Sequence, residues 1–286
     1  MAVLAAAAAL VLGATVPYVR SRTEANAGHC LGWPAGTLTF HENVAGAPGT
    51  GDAGFTAMET ALGTWAQQMG ACGNLTLVMG SRTQSRTVGF DDAKTATNEN
   101  ILLFRTRLCS EVVPATDPCV VDSSCSNVYD CWDSAPGTLA ITTTTFNSRT
   151  GKMYDADLEM NATVHTFTTV DSPPCTELGE SDCVSTDIQN TVTHEFGHAL
   201  GLAHSPDPRS TMYAGSVLGE TSKRVLDDGS QEFVCTAYPA GQPTRDCDGS
   251  PLDLSDQGPS SCGAAPLGPL GLLVALLGLR RRRGNG

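Results

Sequence analysis

Hydrophobic and polar positions follow two different periods in the first half of the chain. Residues 37–43 (TLTFHEN) alternate with a period of two, which is typical of a half-buried strand. A glycine- and proline-rich loop follows at 45–51, and beyond it apolar residues recur every three or four positions. This spacing predicts a helix from about Asp52 to Gly70 with one buried face. The apolar positions of that face are Phe55, Met58, Leu62, Trp65 and Met69.

Four later segments have the composition of strands. They lie at 75–79, 101–104, 139–146 and 152–160. The last two flank a turn at 147–151 and are predicted to form a hairpin. In the second hairpin strand Asp155, Asp157 and Glu159 fall on one face at a period of two. Asp155 and Asp157 are candidate calcium ligands, but we favour the interpretation that these carboxylates are simply solvated.

Two more helices are predicted in the second half of the chain. The tripeptide 185–187 (STD) offers cap residues for a helix that carries His194 and His198. The positions expected to press this helix into the core are Ile188, Val192, Phe196 and Ala199. A last helix is expected from about Asp227 to Tyr238, with its buried side formed by Phe233, Val234 and Ala237. The mixture of strands and helices predicts an α+β fold.

Charge and cysteine content restrict the function and the compartment. Thirty acidic residues against seventeen basic ones give a net charge of −13, which argues against nucleic acid as a partner. Eleven cysteines without a C-x-x-C pair indicate disulfides formed in an oxidising compartment. Cys262 stands apart in the tail, and the other ten can pair completely, although the sequence leaves their connectivity open. We expect the loops at 109–131 and 171–183 to be held by disulfides rather than by a zinc-binding cysteine cluster.

Both ends of the chain have the composition of targeting segments. Residues 1–27 contain an alanine- and leucine-rich run followed by Ala25-Asn26-Ala27, and they predict a signal peptide, with an uncleaved anchor as the alternative. The globular domain is then expected at 28–240, followed by a flexible linker at 241–261. The segment 262–286 joins Cys262, a short apolar run and four arginines. This order resembles the C-terminal sorting signals of bacterial surface proteins, most closely the myxobacterial type, and implies attachment to a membrane or cell surface; a permanent tail anchor is the alternative.

One stretch carries most of the chemical information. His194 and His198 lie four residues apart, so on a helix both imidazoles can bind the same metal ion. Gly201 allows the helix to stop and the chain to turn back, which makes His204 the candidate third ligand. Three imidazoles leave the fourth position of a tetrahedral zinc ion for water, as in catalytic zinc sites. Glu195 is the candidate general base beside the first ligand.

These residues resemble the active-site sequence of metzincin zinc metalloproteases, and among them the matrixins. The stretch 194–204 (HEFGHALGLAH) matches the motif HExxHxxGxxH throughout. Ser205, Pro208, Met212 and Tyr213 then follow at the spacing of the matrixin run H-S-x-x-P-x-x-x-M-Y. By this resemblance Met212 is the methionine of the Met-turn, a hydrophobic floor beneath the zinc ligands.

The resemblance implies a fold and a way of binding substrate. It implies a twisted, mixed five-stranded sheet with an antiparallel edge strand, three main helices and zinc in the cleft. The edge strand is expected at 139–144, where an extended polypeptide substrate pairs with free backbone groups. The chain departs from the family pattern at Ala214, which replaces the usual proline. His41 and His165 do not rebuild the family's second zinc site, and Cys30 lies outside any cysteine-switch motif.

The expected function is that of a secreted or surface-attached zinc endopeptidase, acting as a monomer. Glu195 assists attack of zinc-activated water on a peptide bond, and no covalent acyl-enzyme is expected. The alternatives are a cell-surface adhesion or binding module that retains a non-catalytic zinc site, and an enzyme that hydrolyses a non-protein amide. Intact Glu195 counts against the binding module, because a structural site has no use for a general base.

Overall fold

The computed structural model describes residues 15–25, 27–122 and 124–255. Most of the predicted signal peptide lies outside these residues, as do Cys262 and the rest of the proposed sorting segment. Within the described ranges, no helix is both long enough and apolar enough to cross a lipid bilayer.

Regular structure is distributed along the whole described chain. The strands are β1 (Val19–Arg20), β2 (Arg22–Glu24), β3 (Ala27–Cys30), β4 (Gly36–Glu42), β5 (Leu75–Met79), β6 (Asn100–Arg105), β7 (Ala140–Phe146), β8 (Met153–Asn161), β9 (Phe167–Thr168), β10 (Thr186–Asp187) and β11 (Leu202–Ala203). The helices are α1 (Asp52–Cys72), α2 (Cys109–Val112), α3 (Cys119–Asp122), α4 (Cys125–Tyr129), α5 (Ile188–Ala199) and α6 (Asp228–Ala237). Two 3₁₀ turns lie at Asp92–Thr97 and Ser222–Arg224.

Five of the strands form one mixed sheet in the order β5-β4-β6-β8-β7. The first four run parallel, and β7 pairs antiparallel with β8 as the edge strand. Together with the three longer helices α1, α5 and α6, this arrangement confirms the predicted α+β fold. The predicted hairpin of β7 and β8 is also present, so both the edge strand and its partner were located correctly.

The main core lies where α1 and α5 pack against one face of the sheet. All five apolar positions predicted for α1 are buried, as are the four predicted for α5. Phe40 of β4 meets Phe196 of α5 edge to face, with 4.9 Å between the ring centroids. Trp65 of α1 donates from its indole N–H to the carbonyl oxygen of Thr193 over 2.8 Å. The sheet and α1 together fix the position of α5.

The opposite face of β8 corrects one expectation. Asp155 and Asp157 are 2% and 0% exposed, so the interpretation of these carboxylates as solvated is wrong. The two Asp157 oxygens accept hydrogen bonds from the backbone N–H groups of Gly89 and Ile101, at 2.6 and 2.9 Å. Period-two alternation therefore distinguished the two faces of the strand, but it did not show that long connections cover the outer face.

All ten cysteines in the described chain form disulfides, as the even count without Cys262 led us to expect. The pairs are Cys30–Cys247, Cys72–Cys235, Cys109–Cys131, Cys119–Cys125 and Cys175–Cys183. The last three lie within the two loops that were predicted to be cross-linked. The first two join segments 217 and 163 residues apart, which the sequence left open.

The packed domain extends beyond the predicted boundaries of 28 and 240. On the N-terminal side, Val16 is buried and β1 pairs with β11 directly before His204. On the C-terminal side, the prediction of a flexible linker is wrong for its first part, because Cys247 is cross-linked to Cys30. Thr244 also donates to the carbonyl oxygen of Trp33 over 2.7 Å. The prediction of a flexible linker rested on composition alone, but a segment rich in glycine, proline and aspartate can still be held in place by a disulfide.

Candidate active site

Helix α5 and the turn after it bring three histidines together. Asp187 caps the start of the helix, and its side chain accepts a hydrogen bond from the Asn190 N–H over 2.7 Å. His194 and His198 then lie one turn apart, with 4.8 Å between their ring centroids. Gly201 has φ of 98°, and a Cβ atom there would lie 2.7 Å from a backbone carbonyl oxygen, so glycine suits the turn on both counts.

The third histidine completes a compact donor set. The rings of His198 and His204 are 4.7 Å apart, and their Nε2 atoms are separated by 3.1 Å. One nitrogen from each of the three histidines lies within 4.8 Å of the others. Two nitrogens bound tetrahedrally to zinc at about 2.0–2.1 Å lie about 3.3 Å apart. The spacing of the three imidazoles therefore fits a zinc ion.

Hydrogen bonds to backbone carbonyls orient two of these histidines. His194 Nδ1 lies 2.7 Å from the Thr211 oxygen, and His198 Nδ1 lies 2.8 Å from the Leu202 oxygen. A carbonyl oxygen can only accept, so each Nδ1 donates a proton, and Nε2 is the ring nitrogen left to face a metal ion. Burial lowers the pKa of His194 well below its usual value and that of His204 to about 3. Neutral imidazoles are the form that binds zinc.

Met212 lies directly beneath the ligand helix. It is fully buried, and a methyl group on Gly197 would overlap its sulfur, so the glycine inside the histidine motif lets the methionine approach. The preceding turn is fixed by Asp227, whose Oδ2 accepts from the Thr211 N–H over 2.8 Å. Burial would raise the pKa of Asp227, but hydrogen bonds from Ser230 and Thr211 outweigh it and hold the pKa below the usual range. Asp227 also caps helix α6, so this helix is coupled to the carbonyl that orients the first ligand.

The carboxylate of Glu195 is buried beside the histidines, and the edge strand contacts it. Thr142 of β7 donates its hydroxyl to Glu195 Oε2 over 2.7 Å. Burial raises the pKa of Glu195, while His198, Thr142 and Lys223 oppose this shift. Sequence reasoning missed Thr142, because nothing local distinguishes it from its threonine neighbours in 142–145.

Lys223 is a second residue that sequence reasoning missed. It lies in the 3₁₀ turn at Ser222–Arg224 and is 4% exposed. Its backbone N–H donates to the Asn190 side-chain oxygen over 2.8 Å, which docks the turn one helical turn before His194. A lone lysine in a polar loop carries no sequence signal of such burial.

The remaining sequence candidates lie away from the three histidines. Asp155 and Asp157 occupy the outer face of the sheet, where burial raises the pKa of both. A calcium ion at these residues stays a prediction. His41 contacts the Ser81 carbonyl oxygen over 2.8 Å, and His165 is half-buried after β8. Neither belongs to a cluster of metal-binding side chains in the described part of the chain.

Three converging imidazoles, a buried carboxylate next to the first of them and a methionine beneath them define a metzincin-type metalloprotease site. A family model described as matrixin matches residues 80–238, which is more than half of the chain. The chain belongs to the matrixin family, whose members are zinc-dependent peptidases.

Two human proteins show the same relationship over shorter stretches. Neutrophil collagenase is 42% identical over 68 residues, covering 22% of this chain and 15% of the collagenase. Matrix metalloproteinase-25 is 42% identical over 77 residues, covering 24% of this chain and 14% of that protein. The chain thus matches about one seventh of the length of these curated relatives.

Proposed function

We propose that this chain is an exported zinc endopeptidase in which Glu195 is the general base. The observation that carries the proposal is the buried Glu195 carboxylate, held by Thr142 beside the three clustered imidazoles. Zinc, when bound by His194, His198 and His204, supplies a Lewis acid that activates water and polarises the scissile carbonyl. Glu195 accepts a proton from the attacking water and delivers it to the leaving amine nitrogen.

The edge strand offers a way to align a polypeptide substrate. β7 pairs with β8 along one side, and its other side carries no further strand among the described residues. An extended peptide can add to this edge by backbone hydrogen bonds. Because Thr142 of the same strand contacts Glu195, a peptide on this edge passes close to the general base.

Export is supported by the disulfides. Five cross-links in one domain are typical of an oxidising compartment and uncommon in the cytosol. The signal peptide was predicted at 1–27, but its last part packs into the domain, since Val16 is buried and Val19–Arg20 pairs with Leu202–Ala203. We therefore propose that the export signal lies within the earlier part of this range, at 1–14, and that 262–286 attach the protein to a membrane or cell surface, with Cys262 as the site of processing. The domain acts on its polypeptide substrate as a monomer.

The proposal is tested with the full chain produced in an oxidising host, as wild type and as Glu195→Gln. Zinc is measured by atomic emission, and cleavage is measured on a random peptide mixture by mass spectrometry. We expect one zinc ion per chain in both proteins and internal peptide-bond cleavage by the wild type. The variant should lose about 10²–10⁴-fold in rate, the usual contribution of a general base.

Two outcomes would contradict the proposal in different ways. Cleavage at wild-type rate by zinc-loaded Glu195→Gln removes this residue from the mechanism. Stoichiometric zinc in both proteins with no cleavage of any peptide favours the binding module or a non-protein substrate. Thr142→Val is a graded control, because it removes only the hydroxyl that holds the carboxylate and should reduce the rate less than Glu195→Gln does.

A further inference from the structure

The turn that leads to the third histidine is held by two side chains from distant parts of the chain. It spans residues 199–203, from the last residue of α5 to the residue before that histidine. The last carbonyl groups of a helix have no partner within the helix, and a buried carbonyl without a partner is costly. The Ala199 oxygen accepts a hydrogen bond from the indole N–H of Trp33 over 2.7 Å. The Leu200 oxygen accepts one from the Tyr238 hydroxyl, also over 2.7 Å.

These two donors belong to one hydrogen-bonded unit. The Tyr238 hydroxyl also accepts from the Trp33 backbone N–H over 3.3 Å. The Trp33 carbonyl oxygen accepts in turn from the Thr244 hydroxyl over 2.7 Å. All three residues are at most 7% exposed, so water does not easily replace any of these partners. Trp33, Tyr238 and Thr244 are called the turn clamp below.

The clamped turn affects two of the three proposed zinc ligands. It leads directly into His204, and its Leu202 carbonyl oxygen accepts the hydrogen bond from His198 Nδ1 over 2.8 Å. A displacement of the turn therefore moves one imidazole and changes the hydrogen bond that orients another. The hydrogen-bond partners of metal-binding histidines strongly influence metal affinity. His194 is oriented separately, by the carbonyl oxygen of Thr211.

We propose that Trp33 and Tyr238 are positioning residues that hold the turn at 199–203 in the geometry that zinc binding requires. The inference rests on the proposed zinc site and deepens it, because it assigns part of the metal affinity to residues that do not bind the metal. The two buried carbonyl groups are both satisfied only when the turn keeps its position, so the clamp preorganises the second and third ligands. Removal of either donor leaves a buried carbonyl unpaired, which the turn can relieve only by moving.

The first experiment compares zinc affinity in the full chain carrying Trp33→Phe, Tyr238→Phe or Trp132→Phe. Trp132 is the matched control, because it is also buried and donates its indole N–H to a backbone carbonyl, that of Ala135, but within the insertion on the outer face of the sheet. Zinc Kd is measured by competition with a chromophoric chelator, and Tm is measured on the metal-free proteins.

All three variants should lower Tm, but only the two clamp variants should bind zinc more weakly. We expect a loss of about tenfold for each, at the lower end of the range known for hydrogen-bond partners of metal ligands, because the clamp acts one bond further away. If Trp33→Phe fails to fold, Tyr238→Phe still tests the inference, since it removes a single oxygen atom and keeps the ring.

A second experiment tests whether the ligand geometry changes, with Co²⁺ in place of zinc. The visible absorption of bound Co²⁺ depends on how its ligands are arranged, so it should change in Trp33→Phe and Tyr238→Phe and stay constant in Trp132→Phe. The double clamp variant should lose less affinity than the product of the two single losses, because both donors act on the same turn. Thr244→Val, which removes the hydroxyl that supports Trp33, should have a smaller effect than either single clamp variant.

The inference is overturned if both clamp variants bind zinc as tightly as the wild type. It is also overturned if Trp132→Phe weakens zinc binding to the same extent, since affinity would then only follow stability. Failure of the proposed function has a different signature. In that case the zinc affinities still follow the expected order, but the zinc-loaded wild type cuts no peptide.

Discussion

The two faces of the five-stranded sheet are both buried, but they are lined by different types of side chain. On β8, Leu158 and its neighbours at positions 156 and 160 face the core with α1 and α5. Asp155, Asp157 and Glu159 point to the other side, where they are at most 8% exposed. The inner face is apolar and positions the ligand helix. The outer face carries carboxylates that are covered by the cysteine-rich insertion and its neighbouring loops.

The comparison shows that buried side chains need different partners on the two faces of the sheet. The inner face needs close packing, and two of the histidines there use backbone carbonyls as hydrogen-bond partners. The outer face requires partners for its charges. Arg105 supplies several of them, donating to Glu159 and to Asp130 over 2.7 Å each and to the Arg86 carbonyl oxygen over 3.1 Å. The insertion is then closed by the Cys109–Cys131 disulfide.

A large loss of stability is expected when the central cation of the outer face is removed. Arg105→Met leaves the buried Glu159 unpaired and should destabilise the fold by about 3 kcal/mol, the lower end of the usual range because Asp130 is partly exposed. Chemical denaturation at neutral pH measures this change. Arg209→Met, which breaks an exposed pair with Asp207, should leave the midpoint unchanged. Equal effects of the two variants would show that burial of the Arg105 network is energetically unimportant.

Opening the disulfide of the insertion should reduce the stability of the fold without affecting the histidine site on the inner face. Closing a loop of about 15 residues by a disulfide contributes about 3 kcal/mol, and Cys109→Ser with Cys131→Ser should cost a similar amount. Because the insertion lies on the outer face, zinc content and cleavage rate at room temperature should stay close to those of the wild type. Proteolysis of the native protein should begin within 109–131. Loss of zinc in parallel with loss of stability would argue that the metal site depends on the insertion.

Overpacking the inner face should, by contrast, reduce zinc affinity as well as stability. Gly197→Ala places a methyl group against the Met212 sulfur, in front of Trp65, and should cost about 1–3 kcal/mol together with some zinc affinity. Gly63→Ala is the matched control, since open space surrounds this position of α1 and the change should stabilise the helix by about 0.5–1 kcal/mol. Thermal unfolding and zinc titration measure both. If Gly197→Ala changed neither the thermal stability nor the zinc affinity, Met212 would have to be able to move away from the added methyl group.

The smallest effect is expected from the buried carboxylates, and it depends on pH. Burial raises the folded-state pKa of Asp155 and Asp157, so their contribution to stability is present below the ordinary aspartate pKa of about 4 and is lost as pH rises towards neutrality. Asp155→Asn should therefore raise Tm at neutral pH by about 2–4 °C, corresponding to about 1 kcal/mol, and leave it unchanged at a pH of about 4.

The same measurement tests the calcium prediction. If Asp155 and Asp157 bind calcium, added calcium should raise Tm in the wild type and not in Asp155→Asn. A lower Tm of the variant at neutral pH in calcium-free buffer would show instead that the ionised carboxylate stabilises the fold.

The chain itself determined most of the ligand helix. Its four apolar positions require one buried face, its cap residues define where it begins, and the spacing of His194 and His198 follows from the geometry of a helix turn. The edge hairpin was equally predictable from its alternation and its turn. These features are local, since each depends on residues within a few positions of one another.

The tertiary structure determines contacts and burial that no local sequence pattern can predict. Thr142 meets Glu195 from 53 residues away, and Lys223 meets Asn190 from 33 residues away, so only strand pairing and loop docking bring them to the site. The burial of Asp155 and Asp157 depends in the same way on distant segments. A strand's alternation specifies two faces, but whether solvent or protein covers the second face is set by parts of the chain far away in sequence.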